Sequence, residues 1–208
     1  MYIFDLDGTL IDSNGVWVGV DREFLGRRGC ELTSEYAEVV ARFSFPVASV
    51  YTKEYYGLPD SSADIIAEWV ELARDWYAHR VELKLGVRDF LECCQAAGRP
   101  MALFTACQPP LCELVLERFG LHSKFAHIVY AEALGYEKHD PQCFQALCQR
   151  LGVVPQACTF FDDSPYNCAT ARATGMKVVG VYDNFFHNRA EELAAVSHRC
   201  ISSFEELL

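Results

Sequence analysis

The chain has 208 residues, 51% of them hydrophobic, with 29 acidic against 18 basic side chains and a formal net charge of -11. That length and composition suit one or two modest domains with a real core. The charge excludes nucleic acid and anionic membrane as natural partners, because both attract basic surfaces, and no stretch approaches a transmembrane span. The first predicted element lies in the opening stretch "MYIFDLDGTLIDS". The apolar run Tyr2-Ile3-Phe4 reads as a buried strand, and Asp7-Gly8-Thr9 reads as the turn that stops it. Asp5 and Asp7 therefore stand at the carboxyl end of a strand, where open α/β sheets place their ligands.

Residues from about 15 to 80 carry helical periodicity. "VDREFLGRRG" is one predicted helix, closed by Gly29. "SADIIAEWVELARDWYAHRV" is a longer one, with Ser62 as its N-cap. Its apolar stripe is Ile65, Ile66, Trp69, Leu72, Ala73 and Trp76. Between them, "ARFSFPVASVYTKEYYGLPDSS" is aromatic and broken by Pro46, Gly57 and Pro59. From about residue 85 the texture alternates. "VRDFLECCQAAG", "PPLCELVLERFG", "DPQCFQALCQRLG" and "PYNCATARATG" are helices. "PMALFTA", "HIVYA", "ACTFFDD" and "MKVVGVY" are strands. Such alternation implies right-handed crossovers and a parallel sheet. The first strand belongs to that sheet, so the helical block is an insertion folding over its end as a cap.

The ten cysteines do not read as a disulfide framework. They fall inside apolar segments, and none has zinc-site spacing. Small buried hydrophobes in a reducing, cytoplasmic compartment are the expectation.

Further strand ends repeat the oddity of the first. Thr105 follows "ALF", Asp162 and Asp163 follow Phe160-Phe161, and Lys138 precedes a helix start. Singly, each has a plainer account: a strand-end hydroxyl, a helix N-cap, a solvated loop lysine. In a parallel sheet, however, Asp5, Asp7, Thr105, Asp162 and Asp163 converge on one edge. Four carboxylates close together do not all stay ionised without a cation. An oxygen-liganded ion such as Mg2+ resolves the conflict, and Lys138 would hold a substrate anion.

The motifs Asp5-Leu6-Asp7-Gly8-Thr9-Leu10, Thr105, Lys138 with Pro141, and Asp162-Asp163-Ser164 resemble those of the haloacid dehalogenase superfamily. The similar subgroup is the one with a helical cap inserted after the first motif. The resemblance covers nearly the whole chain and implies a Rossmann-like α/β core over residues 1–14 and 84–208, with an α-helical cap over 15–83. It also implies Mg2+-dependent phosphoryl transfer, with Asp5, Asp7, Thr105 and Lys138 catalytic. Asp5 would attack phosphorus, and Asp7 would protonate the leaving oxygen. Asp5, the Asp7 carbonyl, Asp163 and, directly or through water, Asp162 would hold the metal. Gly8, Thr9, Thr105, Ala106, Lys138 and, from the cap, Arg42 would bind substrate, and Lys53 is a second cap candidate.

Asp7 favours phosphate chemistry over carbon–halogen cleavage, which needs no acid on a leaving oxygen. The expected enzyme is a monomeric phosphatase acting on a small phosphorylated metabolite. An intramolecular phosphotransferase of the β-phosphoglucomutase type is the alternative, and a non-catalytic binding protein on the same fold is the third reading. Three places depart from the family pattern. His139 interrupts the usual Lys-Pro pair, Asn167 replaces a common glycine, and "CQPP" follows Thr105.

Overall fold

The computed structural model describes residues 1–41 and 43–208. Its centre is β1 (Tyr2–Phe4), followed by five helices before the next strand, the first four of them in the inserted block. These four are α1 (Asn14–Gly26), α2 (Ser34–Val40), α3 (Phe45–Tyr56) and α4 (Ser62–His79). Helices and strands then alternate through α5 (Val87–Ala96), β2 (Met101–Thr105), α6 (Pro109–Phe119) and β3 (His127–Tyr130). The rest comprises α7 (Pro141–Leu151), β4 (Thr159–Asp162), α8 (Pro165–Ala173), β5 (Lys177–Val181), α9 (Ala190–Val196) and β6 (Arg199–Ile201).

The strands form one six-stranded sheet in the order β3-β2-β1-β4-β5-β6. Every neighbouring pair is parallel. The fold is therefore α/β, as the alternating pattern predicts. The chain steps from β1 to β2 and β3 on one side, then returns to β4, β5 and β6 on the other. The reversal point lies between β1 and β4, and crevices at such points hold ligands in open sheets. In register, Phe4 is the partner of Phe161. Their rings stack at 4.6 Å, a contact worth about 1 kcal/mol that fixes the two strand ends side by side.

Period-two alternation sends successive strand residues to opposite faces. Phe4, Leu103 and Phe161 join α5 and α6 in one cluster. Ile3, Ala102, Phe104, Phe160 and Val178 join α7 and α8 in another. The first cluster continues without a break into α1 and α4 through Phe24, Trp69 and Tyr77. The inserted helices therefore share apolar burial with the sheet layer beneath them. The chain crosses to and from them side by side: Asp12 N–H donates to the Glu82 carbonyl at 3.0 Å, and Lys84 N–H to the Leu10 carbonyl at 2.9 Å. The stretches that enter and leave the inserted helices thus meet.

Several local expectations need correction. The N-cap of α4 is Ser61, whose side chain accepts from Asp64 N–H. Its buried stripe is Ile65, Trp69, Ala73 and Tyr77, while Trp76 is exposed. Pro46 does not break a segment. It lies in the first turn of α3, where a missing N–H costs nothing, and Gly57 caps that helix at φ 62°. The first helix begins at Asn14, ahead of the predicted stretch. Strand β6 has only three residues on the sheet edge and was not anticipated. The cysteines are free, and Cys93 alone among them is exposed. No described helix is long and apolar enough to cross a membrane.

Candidate active site

Asp5 continues the ladder of β1, its N–H donating to the Phe161 carbonyl at 2.9 Å. Its carboxylate is buried and receives Lys138 Nζ at Oδ1. The same ammonium reaches Asp162 Oδ2 at 3.3 Å. Lys138 lies in the loop before α7, 7% exposed, with Nζ 4.9 Å from the centroid of the Phe104 ring. Asp162 is held from its other side: Ser164 N–H donates to Oδ1 at 2.8 Å, and Asn167 Nδ2 lies 3.2 Å from each oxygen. A glycine at 167 would supply no such donor. Asn167 lies within α8, and no non-glycine residue here has a positive φ among the described residues, so its value is its amide rather than an unusual backbone.

The turn after β1 brings in the second acid pair. Gly8 has φ 73°, and a Cβ there would overlap Asn14 Nδ2 and Asp163 Oδ2. Only glycine permits both the conformation and the approach. Asp163 accepts from Thr9 Oγ1 at 3.2 Å and from Asn14 Nδ2 at 2.8 Å. Asn14 also donates to Asp183 Oδ1 at 3.1 Å, and Lys84 pairs with Asp183 Oδ2 at 2.6 Å. Asp7 turns toward the inserted helices: its Oδ1 accepts from Ser13 Oγ at 2.6 Å and from the Tyr77 hydroxyl of α4. Thr105 Oγ1 is fully buried and accepts from Cys107 N–H at 2.9 Å.

Five carboxylates, from Asp5, Asp7, Asp162, Asp163 and Asp183, thus face two ammonium groups, from Lys138 and Lys84. Burial pushes the Asp5 carboxyl up to about 7; Lys138 opposes this, while Asp162 and Asp7 add to it. Asp163 is held well above the usual carboxylate range, by burial first and then by the charges of Asp162, Asp5 and Asp183. Burial also raises Asp7, against the hydrogen bonds from Ser13 and Tyr77. For Lys138, burial works against the charge, yet Asp5 and Asp162 outweigh it and hold the ammonium protonated. The centre carries excess negative charge with oxygen-only donors, which suits a hard divalent cation. Among the described residues, no three His, Cys, Asp or Glu side chains already form an ion site.

A cavity of about 490 Å³ opens over Asp5, Asp7 and Lys138, while Thr105, Asp162 and Asp163 lie behind its lining. Asp5, Asp7, Ala106, Cys107, Lys138, His139 and Asn167 line its floor, and α1, α2, α3 and α4 supply its far wall. Ser44, ahead of α3, donates through N–H (2.7 Å) and Oγ to Glu137, beside Lys138, tying the far wall to the floor. His139 is an exposed residue at this cavity, as its loop position suggests. Lys53 lies in the last turn of α3 and does not line the cavity, and Arg42 lies outside the described residues. Sequence reasoning missed Ser13, Asn14, Tyr77, Lys84 and Asp183. Tyr77 carried a usable signal, since Ile65-Trp69-Ala73-Tyr77 repeats at four residues, whereas nothing local marks Asp183.

An acidic centre at the reversal point of a parallel sheet, closed by inserted helices, defines a capped hydrolase. The chain belongs to the haloacid dehalogenase-like hydrolases, whose family profile matches residues 2–181. It is 30% identical over 182 residues to the fructose-1-phosphate phosphatase YqaB of Escherichia coli (strain K12), covering 86% of this chain and 94% of that one. It is also 30% identical over 197 residues to a phosphoglycolate phosphatase of Pseudomonas putida, covering 91% and 71%. A putative β-phosphoglucomutase from Thermotoga maritima shares the fold with a TM-score of 0.75 at 22% identity, covering 100% of this chain and 95% of that one.

Proposed function

We propose that the protein is a divalent-cation-dependent phosphatase that hydrolyses a small phosphomonoester through an aspartyl-phosphate on Asp5. The observation that carries this reading is the shared cavity floor: Asp5, Asp7 and Lys138 face one space. An Asp5 oxygen attacks phosphorus, and the bond from phosphorus to the ester oxygen breaks. Asp7 gives its proton to that leaving oxygen, and its raised pKa keeps a proton available. Water then attacks the phosphorus, Asp7 takes the water's proton, and inorganic phosphate leaves with Asp5 restored. Lys138 offsets charge on the transferring oxygens. The Thr105 hydroxyl, whose oxygen accepts from Cys107 N–H, donates its proton to those oxygens beside it.

Asp5, Asp163 and the Asp7 carbonyl would hold Mg2+, which supplies charge neutralisation for phosphoryl transfer. Asp162 is engaged by Lys138 and Asn167 and orients the lysine. A test independent of turnover is thermal melting in EDTA and in Mg2+. Raised carboxyl pKa values mean the metal-free folded state binds more protons than the unfolded chain between about pH 4 and 7, so its stability falls as pH rises through that window. Saturating Mg2+ should therefore raise Tm at pH 8 by about 5–10 °C and have little effect at pH 5. Equal melting with and without the ion at pH 8 removes the metal from this account.

Tyr77→Phe tests the acid. The hydroxyl stabilises ionised Asp7, so its loss should raise the Asp7 pKa. The pH profile of kcat/KM should move to the alkaline side. An unmoved profile counts against Asp7 as the proton carrier.

The direct experiment is a panel of phosphomonoesters, with free phosphate and isomer formation followed together. Phosphate release in step with substrate loss supports the hydrolase. Isomerisation of a hexose phosphate primed by a bisphosphate would instead assign an intramolecular phosphotransferase. Absence of both would leave a binding protein.

A further inference from the structure

One side of α1 runs along the cavity: Asn14, Trp17, Val18 and Asp21 all line it. Their spacing is that of a single helix face. At 1.5 Å per residue, Asp21 lies about 10 Å along the axis from Asn14, two turns away from the residue that touches Asp163. The same cavity is lined by Trp17, Leu32, Val40, Phe45 and Trp69, so much of its far wall is apolar and aromatic. Trp17 and Phe45 meet edge to face at 5.1 Å.

A carboxylate in such a wall is expensive unless something pairs with it. Among the described residues, Asp21 has no hydrogen-bond donor and no ion-pair partner. Asp21 is half-buried, and that partial loss of water pushes its carboxyl up to about 7. Tyr36 feels its charge. That phenol, however, is bonded at 2.7 Å to Thr52, whose own proton goes to the Ala48 carbonyl, so the Tyr36 proton is spent on Thr52. Lys138 is the only lysine or arginine lining the cavity among the described residues, and it is committed to Asp5 and Asp162 at the floor.

We propose that Asp21 is a specificity-determining residue that accepts a hydrogen bond from a distal hydroxyl or ammonium of the substrate, about 10 Å along α1 from Asn14, the residue that bonds Asp163. This rests on the phosphatase reading and narrows it. The organic part of the substrate is an extended chain of sugar or polyol size, with a donor at its far end and apolar contact along its length. A second anion at that distance meets a like charge in an apolar wall. Short acids such as phosphoglycolate therefore leave Asp21 unpaired and gain nothing from the far half of the cavity.

The test compares wild type with Asp21→Ala and Asp21→Asn on four substrates: a hexitol phosphate, an aminoalkyl phosphate of similar length, phosphoglycolate, and phenyl phosphate, which lacks a distal donor. For the better of the two long substrates, kcat/KM should fall about 10–100-fold in Asp21→Ala, mostly through KM. Asp21→Asn should recover part of that loss if the distal group is a hydroxyl, and little if it is an ammonium. Phenyl phosphate turnover should not change. Equal losses on all four substrates, no loss on the long ones, or a wild-type preference for phosphoglycolate each overturn the assignment of Asp21. Wild type that releases phosphate from none of the four overturns the phosphatase reading itself and this inference with it.

Discussion

Asp5→Asn should lower phosphate release by at least about 10⁴-fold, the scale seen when a covalent nucleophile is removed. The substitution keeps shape and volume at a buried strand end and removes one charge. An amide oxygen is a poor nucleophile, and the amide nitrogen presents a donor toward Lys138, already a donor. Stability should not follow activity. Asp5 is one of the charges that raise Asp163, and its own carboxyl is pushed up to about 7 by burial and acidic neighbours. Without metal at pH 8, removing it relieves repulsion while loosening one ion pair, so Tm should stay level or rise. Loss of turnover with unchanged melting identifies chemistry at Asp5 rather than unfolding. Activity within tenfold of wild type would place the attacking group elsewhere and leave Asp5 as a charge in the wall.

The sequence revealed what depends on short-range pattern. Alternation of β-rich and helical segments showed the parallel sheet, because the crossovers through α6, α7 and α8 each carry a proline start and a glycine just past the end. The acids at the ends of β1 and β4 were legible because a carboxylate directly after a buried apolar run has nowhere to sit but the rim of the sheet. What stayed hidden depends on long-range packing. Tyr77 reads locally as one more aromatic on an amphipathic helix, and Trp76 beside it looks the better core residue. In the folded chain it is Tyr77 that reaches Asp7, while Trp76 stays 42% exposed. Asp183 follows β5 in a segment with no motif, and its bonds to Asn14 and Lys84 span 169 and 99 positions of chain. Asp21 was invisible for a related reason: an acid on an amphipathic helix normally faces solvent, and only folding shows this one on a cavity wall. Strand β6 was missed because three residues on an edge carry almost no periodicity.

Lys138→Met should cost more stability than any other single change at this centre. The ammonium is buried and serves Asp5 and Asp162 together. Methionine fills the space of the stem and leaves both carboxylates without their cation. Breaking a buried pair from one side costs about 3–5 kcal/mol, because the surviving charge is stranded. For a chain of this length that lowers Tm by roughly 10 °C. The sign with pH follows from the acids. With the lysine gone, the Asp5 pKa rises above its present value near 7, so the folded state gains protons more readily still. The loss should therefore be greatest at pH 8 and shrink toward pH 5, where the stranded groups protonate. Coupling gives the sharper test. In the double variant Asp5→Asn with Lys138→Met, one of the stranded charges is gone, so the combined loss should be smaller than the sum of the single losses. Turnover of Lys138→Met should fall about 10²–10³-fold, the range for removing one preorganised donor to a developing anion. Strictly additive losses, or a melting temperature that does not respond to the substitution at pH 8, would show that Lys138 is not electrostatically bound into this cluster. Its place against Phe104 would then be a matter of packing alone.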